Sequence, residues 1–354
     1  MRLGAPIPLA PNRVRLFYQG GALIDELRGV KDGKDDFYPE DWVGSITAFG
    51  GADRAPTEGL SRVRVDGWEG FLRDLLRERA EEVVGRDMVR RYGATTGLLV
   101  KLLDTSVRLP VHCHPTRDFA RRNFGSVFGK TEAWIIVATR RAGAEEPYAQ
   151  VGFQNEIPRA QLLEWTTQQD VGAIATATHK FAVRAGDVVL IPASLPHAIG
   201  PGVFMVEVQE PTNFSILIEH AGFPIASEAA HLGLGWDVAI DAVDRHGYTR
   251  EEIVSRFVRR VDPQREGESP LVGDEFAEFF RATRVHLAPN ASRDIPAGYW
   301  VGVVLEGSGE IEYGAGRATL RRGDTFCVPF VLGSHRIRGG RDGIALVRCL
   351  PPAR

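Results

Sequence analysis

Cysteine, lysine and long apolar runs are all scarce in these 354 residues. Cys113, Cys327 and Cys349 are the only cysteines, an odd and widely spaced set. Such a set builds no disulfide framework and points to a reducing compartment. No stretch approaches the ~20 apolar residues of a membrane-spanning helix, and no apolar leader segment stands out, so a cytoplasmic location is expected. A net charge of -3 gives neither nucleic acid nor an anionic membrane surface a global attraction, so neither is expected as a partner. The lysines are Lys31, Lys34, Lys101, Lys130 and Lys180; almost all remaining positive charge is arginine. That scarcity makes Lys101 and Lys130 conspicuous.

The rest of the composition is ordinary for a globular protein, with 44% hydrophobic and 25% charged residues. The length suggests two or three subdomains. Against that background the segment 109–136 stands out. His112 and His114 sit two apart, and in an extended strand such side chains share one face while Cys113 points to the other. Pro110 and Pro115 bracket the pair, which suits strand ends. Glu132 opens the apolar run Ala133 to Ala138, which reads as the returning strand. Farther on, Gly186-Asp187 reads as a turn, Val188 to Ile191 as a buried strand, and His197 follows two prolines. Three imidazoles and one carboxylate converging on one point form a shell for a single divalent transition metal: zinc first, with iron, manganese or nickel also suited. A lone His-x-His is weak evidence; the added Glu and the Gly-x5-Pro-x4-His segment make it strong.

These motifs resemble the metal site of cupins, and more narrowly that of class I mannose-6-phosphate isomerases. That family reads roughly Q-V-H-P, then G-K-T-E, then V-P-A-G-x-x-H-A. The counterparts here are His112-Cys113-His114-Pro115, Gly129-Lys130-Thr131-Glu132 and Ile191-Pro192-Ala193-Ser194-Leu195-Pro196-His197-Ala198, of which the second is the most specific. The resemblance implies His112, His114, Glu132 and His197 as metal ligands. It also implies pocket roles for Glu40, in Glu40-Asp41-Trp42-Val43-Gly44-Ser45, and for Lys101, in Val100-Lys101-Leu102-Leu103. Lys130, two residues before a ligand, becomes the acid/base candidate; with Lys101 and Glu40 it completes the expected catalytic set. Arg117, Arg122 and Asn213 are the candidate substrate contacts. The surface readings are a turn carboxylate for Glu40, a solvent-facing strand lysine for Lys101, and a soluble basic loop for 116–130.

The chain also departs from that family. His112 stands where the family has Gln, Ile199 where it has Tyr, and Leu217 where it has an arginine important for catalysis.

The expected fold is mainly β with helical additions: two cupin-type, jelly-roll-like barrels plus a helical segment. Residues 1–221 would form the metal-binding barrel, with one amphipathic helix over 68–91. Residues 116–130 read as a loop, 158–169 as a short helix opened by Pro158, and Phe214 to His220 as a strand. Residues 222–275 would supply helices, one of them starting with a capping sequence at Thr249, and then a linker over 263–275. Residues 276–354 would form a second barrel, because Gly323-Asp324 through Pro329 to His335 echoes Gly186-Asp187 through Pro192 to His197. It lacks a His-x-His and a matching Glu, so no metal is expected there, and His335 is expected to be structural or at the surface.

The function this implies is a metal-dependent aldose–ketose isomerase of mannose-6-phosphate/fructose-6-phosphate type, working through an enediol on a hexose or hexose phosphate. Its partner is then a small sugar or sugar phosphate; the oligomeric state is not legible. Two alternatives remain at this stage. Three His and one Glu also suit an iron-dependent oxygenase, and the replacement of the arginine by Leu217 suits a sugar-binding protein without catalysis.

Overall fold

The computed structural model describes residues 3–50, 54–143, 145–314 and 316–353. Two large antiparallel sheets dominate. The first has the spatial strand order Val258–Arg260, Asp187–Ile191, Glu132–Thr139, Val203–Gln209, Leu99–Asp104, Glu40–Val43, Arg13–Val14. The second runs Ile7–Pro8, Thr325–Val328, Trp300–Tyr313, His335–Leu350, Arg281–Leu287, Gly267–Val272, with Ser292–Ile295 and Gly316–Arg321 attached to its long strands. A three-stranded sheet of His197–Ile199, Tyr148–Phe153 and Thr178–Ala182 faces the metal-bearing part of the first.

The apolar residues divide by strand face, as the two-residue period of a strand requires. Val100, Leu102, Val206 and Val208 point out of the first sheet. They share one apolar layer with Val301, Val303 and Val347 of the second and with Leu72, Leu75 and Leu76 of a helix. The opposite face of the first sheet carries Trp42, Leu99, Leu103, Trp134 and Met205, closed over by Val151, Phe181 and Ile199. Polar residues on that inner face form the site.

Several local expectations fail for physical reasons. Residues 68–91 are not one helix. Trp68–Phe71 is a strand paired with Arg62–Val65, and the turn between them, Asp66-Gly67, has positive φ at both residues (39° and 79°). That is the Asp-Gly hairpin signal, which outweighs the helical spacing of the apolar residues. The helix begins at Leu72 and breaks at Gly85 (φ 89°) into Leu72–Val84 and Arg86–Tyr92. The supposed loop 116–130 contains a helix, Arg117–Phe124, capped by the Thr116 hydroxyl accepting from the Phe119 N–H. Phe214 to His220 is extended chain with a single bridge, Cys113 to Ile216, and not a strand. The linker 263–275 contains the strand Gly267–Val272, an edge strand, where Pro270 costs no ladder bond. The expected capping box at Thr249 is present, reciprocated by Glu252, and a helix Arg159–Gln168 follows Pro158.

Candidate metal and active site

The two-apart histidines lie in a segment held on both sides. His112 and His197 exchange backbone hydrogen bonds at 2.9 and 2.8 Å, and Cys113 and Ile216 exchange two at 2.9 Å. The Glu219 carboxylate, fully buried, accepts from the Val111 N–H at 2.8 Å and pairs with Arg108. Only bridges form, not a full strand, but the alternation survives. His112 and His114 face the inner cavity, while Cys113 turns the other way into a separate apolar cluster with its thiol near the Ala242 carbonyl.

Glu132 reaches the same point because Gly129 lets the chain pass close to another backbone. A Cβ at Gly129 would come within 2.5 Å of the Pro115 carbonyl oxygen. Thr131 then ties in, its N–H donating to Glu210 Oε2 at 3.0 Å. His197 arrives through a turn in which Ser194 takes a left-handed conformation, φ 76°, at a place where the resembled family has glycine.

The imidazole atoms that could bind a metal lie within 4.8 Å of one another. Each Nδ1 donates to a backbone carbonyl: His112 to Pro110, His114 to Phe214 and His197 to Leu195, all at 2.8 Å. With that tautomer fixed, every Nε2 presents a lone pair. His114 Nε2 lies 3.1 Å from Glu132 Oε2, and His197 Nε2 lies 3.5 Å from Glu132 Oε1. Burial, with smaller contributions from neighbouring charges, holds His114 and His197 at a pKa of about 3, so both rings are neutral. Burial works against the Glu132 charge, yet the Lys130 ammonium beside it opposes burial, and that carboxyl stays well below the usual range. A lone pair therefore faces an anion with no proton between them. His114 Nε2, His197 Nε2 and Glu132 Oε2 are buried without a hydrogen-bond partner, an arrangement that costs several kcal/mol unless a cation satisfies it. The residues present fit a divalent metal.

A row of side chains runs across four strands beside this point: Trp134, Glu207, Lys101 and Trp42. Lys101 Nζ lies 3.0 Å from Glu207 and 3.4 Å from Glu40. Burial opposes its charge, but Glu207, Glu40 and Glu132 prevail and raise its pKa. Glu207 is pushed up to about 7 by burial and by Glu132, more than Lys101 pulls it down. Glu40 is fixed by Tyr18 at 2.6 Å and by the Trp42 indole at 2.7 Å. Lys130 Nζ sits 3.4 Å from Glu132, and burial lowers its pKa.

The expected Lys101, Lys130 and Glu40 thus lie at one site with the three histidines and Glu132. The arginines do not follow. Arg117 is committed to the fully buried Glu210 at 2.6 Å and to the Glu278 carbonyl at 2.9 Å, because an unpaired buried carboxylate would be costly. Arg122 is exposed on the outer side of its helix. Asn213 is half-buried and donates to the Phe49 carbonyl at 3.2 Å. Sequence reasoning missed Glu207 and Glu210. Glu207 was detectable, as a charge at an inward position of the apolar run Val203–Gln209.

The chain is similar to known proteins over most of its length. A mannose-6-phosphate isomerase of Bacillus subtilis is 24% identical over 312 residues, 85% of this chain and 88% of that protein. A mannose-6-phosphate isomerase of Streptococcus mutans is 25% identical, over 82% and 85%. Among solved structures, a putative mannosephosphate isomerase from Archaeoglobus fulgidus superposes with a TM-score of 0.74 at 20% identity, covering 99% of both chains. A zinc-bound mannose 6-phosphate isomerase superposes with a TM-score of 0.72 at 13% identity, covering 98% of this chain and 99% of that one. No family profile matches the chain.

Proposed function

We propose that the chain is a metal-dependent aldose–ketose isomerase acting on a hexose or hexose phosphate of the mannose-6-phosphate/fructose-6-phosphate type. The observation that carries this reading is the 3.1 Å approach of two buried, proton-free atoms, His114 Nε2 and Glu132 Oε2, beside two lysines and two further carboxylates. The names of the relatives support it.

His112, His114, His197 and Glu132 would hold the metal, zinc first among the candidates. A divalent cation there supplies the positive charge that polarises the carbonyl and neighbouring hydroxyl oxygens of an open-chain sugar. The remaining chemistry belongs to the chain's own groups. Isomerisation moves a proton between C1 and C2, and a group that titrates near neutral pH does this best. Glu207, buried beside Lys101, would accept and return such a proton. Lys130 would hold a proton at a sugar oxygen. Lys101, pinned between Glu207 and Glu40, fixes both carboxylates and neutralises part of their charge.

The test is NMR in deuterated water with a panel of hexoses and hexose 6-phosphates, alongside elemental analysis. Metal-dependent exchange of the C2 proton is expected. Sugar binding without exchange would instead favour the non-catalytic reading that Leu217 motivates, and oxygen uptake would favour an oxygenase.

A further inference from the structure

Five neighbouring strands of the second sheet repeat five of the first, and the registers match their positions. Ile191 and Val328 each precede a proline after a Gly-Asp turn. Ile191 pairs with Glu132, and Val328 pairs with Trp300. The row Trp134, Glu207, Lys101, Trp42 is answered by Gly302, Arg348, Thr283, Pro270. Glu40, opposite Leu103, is answered by Glu268, opposite Val285. His335 answers His197: each gives Nδ1 to the carbonyl two residues back, His335 to Gly333 at 3.0 Å and His197 to Leu195 at 2.8 Å. Ile295, opposite His335, takes the place of His112.

These exchanges delete the metal shell. Trp300 stands where Glu132 would be, and its indole lies over Gly302, where a Cβ would meet the ring at 2.8 Å. The ring is stacked on His335 (centroids 5.8 Å, 18° between planes), and the Arg348 guanidinium lies 4.9 Å from its centroid. His335 is accordingly buried and not a surface residue.

What remains is cationic. Among the described residues Glu268 is the carboxylate paired with Arg348, at 2.5 Å, and it also takes Arg293 at 3.2 Å. Two guanidinium groups, those of Arg348 and Arg293, thus share one carboxylate. Trp300, Arg348 and His335 are 0, 4 and 5% exposed, and Trp300 Nε1, Arg348 Nε, His335 Nε2 and Thr283 Oγ1 have no hydrogen-bond partner. Arg293, half exposed, marks the opening to solvent.

We propose that the mouth of the second barrel is a separate anion site that takes hydrogen phosphate, free or as the phosphate of a monoester. Guanidinium groups suit its oxygens, and the indole N–H adds a donor. The His335 Nε2 lone pair accepts the proton that hydrogen phosphate carries and that sulfate at neutral pH lacks. The site is independent of the metal centre and of the isomerase reading.

The test is calorimetric titration of the metal-loaded protein with inorganic phosphate, a hexose 6-phosphate and sulfate. Saturable binding of at least one phosphate species is expected, with sulfate at least tenfold weaker, and His114→Ala should leave that binding unchanged. Binding of both phosphate species to His114→Ala identifies a general phosphate site, and binding of one alone identifies the source. Arg293→Gln should weaken phosphate severalfold, and Glu268→Met with Arg348→Met, which leaves neither charge unpaired, should abolish it. If the double variant does not fold, Arg293→Gln still decides. Absence of phosphate binding, unchanged affinity in Arg293→Gln, sulfate equal to phosphate, or loss of binding in His114→Ala would each overturn the proposal.

Discussion

His114 Nε2 and Glu132 Oε2 stand 3.1 Å apart with no proton to share, since the ring's one N–H is given to the Phe214 carbonyl. The chain spans the 17 residues 115–131 of loop and helix to bring them together. Every functional statement about the first barrel follows from that approach.

The first prediction concerns the metal. Wild-type protein should carry about one divalent ion per chain, and a ligand at a thousand times its dissociation constant stabilises a fold by about 4 kcal/mol. His114→Ala should lose the ion and remain folded, and a chelator should lower the melting temperature of the wild type only. Full metal occupancy in the variant would refute the shell.

Lys130 is predicted to act on the substrate and not on the metal. Lys130→Met should retain the ion while kcat falls about 100-fold or more, the usual contribution of a positioned acid or base. Unchanged turnover would remove Lys130 from the reaction.

Arg117 is predicted to stabilise the fold without touching sugar. Arg117→Met leaves Glu210 buried and unpaired, so unfolding free energy should fall by about 3 kcal/mol in denaturant titration. KM should stay within twofold. A large rise in KM with intact stability would return Arg117 to the substrate.

Glu207 gives a pH signature in metal-free protein. Its folded pKa is about 7, against about 4.3 for an unperturbed glutamate. Between these values the folded state binds the extra proton, so this group's contribution to stability falls as pH rises. The neutral buried imidazoles push the other way up to about pH 6.5, so the readout is the difference between wild type and Glu207→Gln. Wild type should lose stability relative to the variant between pH 5 and 7.5, by roughly 3 kcal/mol. Parallel curves would place Glu207 at an ordinary pKa.

Much of this was legible in the residues themselves. The two-residue spacing of His112 and His114 put both rings on one face. The paired Gly-Asp turns announced two barrels. Local signals were misread where two of them competed, as at 62–71, where the Asp66-Gly67 turn prevailed over helical spacing.

Pairing across space was a different matter. Arg117 looked available for a substrate until Glu210, 93 residues away, was seen to hold it. Glu207 acquired meaning only from the register that sets it opposite Lys101, and Arg348 and Trp300 only from the register that lays the second barrel over the first. Sequence spacing governs which face a side chain takes, because that is set by backbone geometry within a few residues. Which charges meet, and which are left without a partner, depends on contacts between distant strands, and only the folded chain decides those.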